Sequence, residues 1–436
     1  MGFREDIEAI ADCLKPPSER QTFMFSATMA KNIQQVARAT LSRNHKFINC
    51  VPDDAAPTHL QIPQYYSAVS SPKEQIPHVL RLIAEDQLAN PGKSKVLIFF
   101  PTTRMVQLYS TLISQIGEDV LPAGENTRFA EMHSKKAMNS RVKTSEWFRR
   151  DTSGASVMLT SDVSARGVDY PGVTRVIQVG TPANGETYVH RVGRTGRGSN
   201  MSGRADLVLL PWELDFLKWQ LSDIPVKELT PSQLKEQVET LAEQYDANPA
   251  AFFHEHETRH RRNSPRKFRP GVAERVTEGS IAARIEAIQP EVSSDDVHDA
   301  LVSMLAFYAS NAAALRVPRE AAVDGVHDWA AALTGEPMRL RVPKEFMTHR
   351  APARSSRPSR SGSGFGSGGR DRRSDGFSYR GRDGMSSRPR YDRGDREDRG
   401  DRGGEDRGFW RPEEVRPPRH GDRWQGRGSS SRRLSG

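Results

Sequence analysis

From residue 1 to about 230 the chain alternates short runs of consecutive apolar residues with segments of helical periodicity, and that alternation leaves few folds open. Runs such as KVLIFF at 95–100 and SVMLT at 156–160 are apolar on successive positions, so strands formed from them must be buried on both faces. Doubly buried strands separated by helices describe βα units: an α/β fold with a parallel sheet and helices on both faces. Strands are expected at 22–25, 46–49, 63–69, 95–100, 156–160, 174–178 and 205–210.

Breaks in this rhythm suggest domain boundaries. The segment at 51–58, with Pro52 and Pro57, reads as a linker between a unit at 1–50 and a domain at 59–225. Fifty residues with two strands are too few for a doubly wound domain, so the first unit is expected to be a remnant of one. From 226 to 348 helical signals take over. Thr230 as N-cap, Pro231 at the first helical position and Gln233 two residues on form a capping box, and further helices are expected at 294–315 and 319–333.

The final segment, 349–436, is of another kind. From Arg350 onward it holds 23 Arg, no Lys, 13 acidic residues and 17 Gly, too little apolar surface to fold, and a disordered basic tail is expected. The 349 residues before it carry 41 basic and 42 acidic groups, so the whole positive imbalance of the chain, and the polyanionic partner it implies, belongs to the tail. Cys13 and Cys50 cannot build a disulfide framework, which suits a reducing compartment. No apolar run approaches the roughly 18 residues of a membrane span, so no membrane partner is expected. Glu5, Asp6, Glu8 and Asp12 give the start the wrong charge for a signal or transit peptide.

Ligands of open α/β sheets bind at the carboxyl ends of the strands, which makes the residues after each strand the candidates for chemistry. QTFMF runs into Ser26, Ala27 and Thr28; KVLIFF into Thr102 and Thr103; SVMLT into TSDVSARGVD at 160–169. A fourth segment, HRVGRTGR at 190–197, sets three arginines among Gly193 and Gly196. Arg194 and Arg197 lie three apart, so on a helical turn their forks would point the same way and suit a phosphate. Ser-Ala-Thr alone is nearly uninformative and Arg-Gly-x-Asp alone is more often a turn; the four segments together, in this order, are far more specific.

These segments resemble motifs III (SAT), IV (VLIFFPTT), V (TSDVSARGVD) and VI (HRVGRTGR) of the DEAD-box RNA helicases, over residues 1 to about 225. MGFREDIEAIADCL resembles the stretch that follows the DEAD sequence itself. VIQVGTP, the helical extension and the Arg/Gly-rich tail most resemble the fungal mitochondrial RNA chaperones of that family. The resemblance implies a RecA-like fold, an ATP-dependent RNA helicase activity, ATP with Mg2+ as cofactor, RNA as partner, a monomer, and the mitochondrial matrix as compartment, with the nucleus or cytoplasm as the alternative. It further implies that Gly167 and Asp169 meet the phosphate and ribose side of the nucleotide, and that Arg194 and Arg197 act as arginine fingers. His190 would couple the ATP and RNA sites. Thr102, Thr103, Arg141 and Thr160 would hold the RNA backbone, and Ser26 and Thr28 would link hydrolysis to domain closure. Two positions depart from the family pattern, Ser134 where Gly is usual and Met138 where Gln is usual, which puts the contact of that Gln in doubt.

The first helicase domain, with its P-loop and its Asp/Glu pair for magnesium, is missing from this sequence, so the chain by itself is expected to be inactive. GKS at 92–94 follows a helix and opens a strand, the reverse of a P-loop. HETRH at 256–260 matches the HExxH zinc pattern, but its flanks supply no apolar helix face, and it reads as a solvated loop; no metal ligand is expected. In the tail, aromatic residues such as Tyr379, Trp410 and Trp424 stand among arginines and suit stacking on RNA bases.

Overall fold

The computed structural model describes residues 4–26, 31–42, 44–48, 61–165, 167–197, 203–253 and 268–342. At its centre is a parallel sheet of seven strands: β1 (Gln64–Ala68), β2 (Ser94–Phe99), β3 (Arg128–Met132), β4 (Ala155–Thr160), β5 (Arg175–Val179), β6 (Arg204–Leu209) and β7 (Lys227–Glu228), in the order β3-β4-β2-β5-β6-β1-β7. β2, β4 and β5 are buried at every residue, as doubly covered strands must be. The covering helices are α3 (Gln75–Ala89), α4 (Thr103–Val120), α5 (Met138–Arg150), α6 (Gly185–Val192) and α7 (Asp215–Gln220), after α1 (Arg4–Asp12) and α2 (Lys31–Thr40) of the leading segment.

Two expected strands do not form. Residues 21–26 and 45–48 belong to no ladder, and Phe23, Phe25, Phe47 and Ile48 are exposed. An apolar run becomes a strand only when a neighbouring strand takes up its backbone groups, and none does so among the described residues. Two strands that carry little apolar signal do form: β3 at one edge, half-exposed along most of its length, and the two-residue β7 at the other. The strand pattern therefore runs past residue 226.

Beyond β7 the chain is helical: α8 (Pro231–Ala247), α9 (Val272–Arg275), α10 (Glu278–Ile288), α11 (Ser294–Leu315) and α12 (Arg319–Thr334). The capping box at Thr230 is present, with Gln233 N donating to Thr230 Oγ1 at 3.2 Å and Thr230 N donating to Gln233 Oε1 at 3.0 Å. These helices share the hydrophobic core of the sheet. Trp329 of α12 is fully buried, donates from Nε1 to Tyr109 OH of α4 at 3.0 Å, and stacks on that ring; Tyr109 in turn donates to Gln75. Tyr308 of α11 donates to the buried carboxylate of Glu213. Losing a fully buried Trp typically costs about 3–5 kcal/mol, so the extension contributes substantially to the stability of the domain it covers.

No helix among the described residues is long and apolar enough to cross a membrane. The tail from residue 349, the linker at 51–58, Cys50 and the HETRH segment lie outside the described residues.

Candidate functional site

At the carboxyl edge of the sheet, Thr102 follows β2 and caps α4, its Oγ1 accepting from Met105 N at 3.2 Å and lying 2.8 Å from Ser303 Oγ of α11. Thr103 Oγ1 lies 3.3 Å from Ser134 Oγ, which follows β3. Met138 opens α5 and is 67% exposed, and Arg141 stands one turn later, half-buried, with no partner at Nε. The edge thus presents hydroxyls, the amino end of a helix with no side-chain cap, and a guanidinium, all suited to an anionic backbone.

Thr160 ends β4 but does not join this surface. Its side chain is fully buried, and Oγ1 bonds inward to Met132 O and Ser164 Oγ, each at 2.9 Å. A hydroxyl committed to the protein interior holds the following turn in place; it does not reach a ligand from there. Ser26 lies in the exposed segment ahead of α2, away from any strand, and Thr28 lies outside the described residues.

The arginine segment lies at the opposite edge of the sheet from Thr102 and Thr103. α6 runs antiparallel to the strands, so the turn after it, 193–197, arrives at their amino ends. Thr195 Oγ1 donates to Val173 O, just before β5, at 2.5 Å, and a Cβ on Gly196 would come within 2.8 Å of Ile62, just before β1. Gly196 also has φ +64, so both crowding and conformation demand glycine there.

In this turn Arg194 donates to Val168 O and, from Nε, to His190 O at 3.2 Å; Arg197 Nη1 pairs with Asp169 Oδ1 at 3.0 Å, and Arg149 Nε donates to Asp169 O at 3.0 Å. Three guanidiniums therefore grip the segment 168–169. Gly167, at φ +70, has open space where a Cβ would stand, so a ligand can approach its backbone. Burial, then the neighbouring charge of Arg197, lowers Arg194 to about 10, which keeps it cationic at neutral pH. His190 sits on α6 with its Nε2 4.0 Å from Glu186.

One residue that the sequence reading left unassigned joins the two clusters. Arg191, wholly buried, donates from Nε to Asp162 Oδ1 at 2.7 Å and lies 5.3 Å from the Phe99 ring centroid. Asp162 opens the turn after Thr160, and the same loop continues to Gly167 and Asp169. A single loop thus runs from the hydroxyl edge to the arginine pair.

Residues 75–199 match the helicase conserved C-terminal domain. The helicase match covers β2 to β5 and both clusters. Over 226 residues, 52% of this chain and 25% of the relative, the sequence is 39% identical to DEAD-box ATP-dependent RNA helicase 26 of Arabidopsis thaliana. It is 37% identical over 241 residues to DEAD-box ATP-dependent RNA helicase 25 of Oryza sativa subsp. japonica, 55% of this chain and 38% of that one. The chain therefore spans between about a quarter and two-fifths of these relatives' lengths. Mss116p bound to ssRNA and AMP-PNP has a similar fold, at a TM-score of 0.57 and 22% identity, over 80% of this chain and 60% of that one. The helicase match ends at residue 199, whereas this fold likeness covers more of the chain.

Proposed function

We propose that this chain is the C-terminal RecA-like half of an ATP-dependent RNA helicase of the DEAD-box type, separating short RNA duplexes as an RNA chaperone. The observation that carries this reading is the loop 160–169, anchored at one end beside the hydroxyl edge and gripped at the other by Arg194 and Arg197. Thr102, Thr103, Ser134 and Arg141 would meet the RNA backbone, with Thr160 holding the loop beneath them. Gly167 and Asp169 would meet the nucleotide, and the two arginines would stabilise charge on the transferred phosphoryl. His190, on the helix between the clusters, would couple them.

Such chemistry also needs a P-loop and an Asp/Glu pair for Mg2+, and neither a P-loop motif nor an Asp-Glu-x-Asp motif occurs within the 436 residues. We propose that a first RecA-like domain supplies them, meeting the exposed apolar side chains of the leading segment such as Phe23 and Phe25. The working unit is proposed to be a monomer in the mitochondrial matrix, on the resemblance to the fungal chaperones.

A second reading, favoured by the absent P-loop, is an RNA-binding or annealing module without turnover. Joining a relative's first domain ahead of residue 1 separates the two. RNA-stimulated ATP hydrolysis by the joined protein, with none by residues 1–436 alone, is the expected result. A joined protein that folds and binds RNA yet hydrolyses nothing would support the second reading. Turnover by the chain alone at even about 1 per second would overturn the need for another domain.

A further inference from the structure

Lys95, the second residue of β2, is 5% exposed, and its ammonium is used entirely inside the protein. Nζ donates to Pro171 O at 3.1 Å and to Arg149 O and Asp151 O, each at 3.4 Å, and lies 4.9 Å from the Phe148 ring centroid. Arg149 O and Asp151 O sit at the carboxyl end of α5, where carbonyls lack helical partners and the helix dipole is negative. Pro171 belongs to the turn that follows Asp169.

The backbone of Lys95 holds the far end of the same turn. Lys95 N donates to Thr174 Oγ1 at 2.9 Å, and Thr174 N donates to Lys95 O at 3.0 Å. On its other side this turn carries Val173 O, the acceptor for Thr195 between the two arginines. Arg149, whose carbonyl Lys95 binds, reaches Asp169 O with its own side chain.

We infer that Lys95 is a positioning residue: its ammonium ties the carboxyl end of α5 to the 169–174 turn and so fixes where Arg194 meets Val168 and Arg197 meets Asp169. The inference deepens the function proposed above, because it assigns a fixed geometry to the nucleotide-facing side of the loop. Without the ammonium, three carbonyls would lose their donor and the turn would keep only its Thr174 end. Burial lowers Lys95 to about 8, with Asp151 opposing, so at pH 7 it is still the charged donor. A cavity of about 520 Å³ opens beside it, lined by Gly92, Asp151, Gly154 and Gly172 among others, and leaves room for a longer cation.

The test is amide hydrogen exchange of residues 1–436 at pH 7, with Lys95→Met and Lys95→Arg beside the wild type. Met matches the length of the stem without donors, whereas Arg keeps charge and donors. Lys95→Met should speed exchange at 168–174 and 193–197 by about tenfold or more and leave β2 and β4 protected, and Lys95→Arg should return those segments to within about twofold of wild type. Protection kept by Met and lost by Arg would mean that Lys95 merely fills space, and would overturn the inference. An even loss over all strands in Lys95→Met would overturn it too, since Lys95 would then serve overall stability. Neither nucleotide nor RNA enters the measurement, so its failure leaves the helicase reading standing, and failure of that reading leaves the tether.

Discussion

Arg191 and Asp162 form an ion pair in which only the acid meets water: the guanidinium is wholly buried and the carboxylate 45% exposed, with Nε 2.7 Å from Oδ1. The pair pins α6 to the start of the 162–169 loop, and therefore ties the turn that bears Arg194 and Arg197 to the strand end beside the hydroxyl edge. Removing the acid strands a buried cation whose remaining polar neighbour is Gln178 Oε1 at 3.5 Å.

Asp162→Ala should therefore lower stability by about 1–3 kcal/mol, the usual cost of leaving a buried donor without its acceptor, moderated here because water reaches the place of Asp162. Urea denaturation of the wild type and the variant measures it. A midpoint unchanged by the substitution would show that water alone satisfies Arg191.

Arg197 and Arg194 should respond differently to replacement. Arg197 pairs with an exposed acid, so Arg197→Lys should cost at most about 1 kcal/mol of stability. In a protein with a first helicase domain joined, the same change should slow single-turnover hydrolysis by about 10³ to 10⁵ with nucleotide binding little altered, since an ammonium cannot reproduce the fork. Arg194→Lys should also lower the melting temperature, because Arg194 holds Val168 O and His190 O. Normal hydrolysis in both variants would remove the arginines from the reaction.

Glu213 sets a pH dependence. Burial raises it to about 7, against hydrogen bonds from Leu210 N, Tyr308 and Thr181 N. The folded state thus holds this proton more tightly than the unfolded chain does. Stability is unaffected by Glu213 below about pH 4.5, falls as pH rises through the interval to 7, and above it carries the full cost of about 3 kcal/mol. Glu213→Gln keeps an acceptor and removes the charge, so its advantage in thermal melts should grow from pH 5 to 7 and then level off. An advantage independent of pH would mean that Glu213 is ionised throughout.

Charge is so unevenly divided that RNA affinity should be too. Deleting residues 350–436 removes 23 Arg and 13 acidic residues from a chain whose remainder is nearly neutral. RNA binding should weaken sharply, and its dependence on salt should flatten, because fewer counterions are released. Binding titrations from 50 to 200 mM salt, with and without the tail, would reveal a folded-domain contribution as an unchanged slope.

What the sequence made legible follows from where water is excluded. Residues 95–100 and 156–160 announce themselves because both faces of their strands are covered. β3 does not, because an edge strand keeps Arg128 exposed and the next three residues half-exposed, and nothing in RFAEM forces an extended chain. The arginines of HRVGRTGR look equivalent in sequence; only the fold shows that Arg191 turns inward, over the Phe99 ring and onto Asp162. Thr160 is expected to hold RNA on the strength of the family resemblance, and its place after a strand says where the chain goes and not which way the next hydroxyl turns. The carboxyl-edge rule leaves 193–197 unplaced, since it applies to segments that leave strands and this one leaves a helix.

The seam between sheet and extension limits how this half could be transplanted. Trp329 leans on Tyr109, and Tyr109 on Phe100, so a cut at residue 199 or 225 would bare an apolar face that two fragments could bury only against each other. A chimera built on this scaffold has to carry the chain through Val342, and the helices beyond the helicase match travel with it as its outer wall.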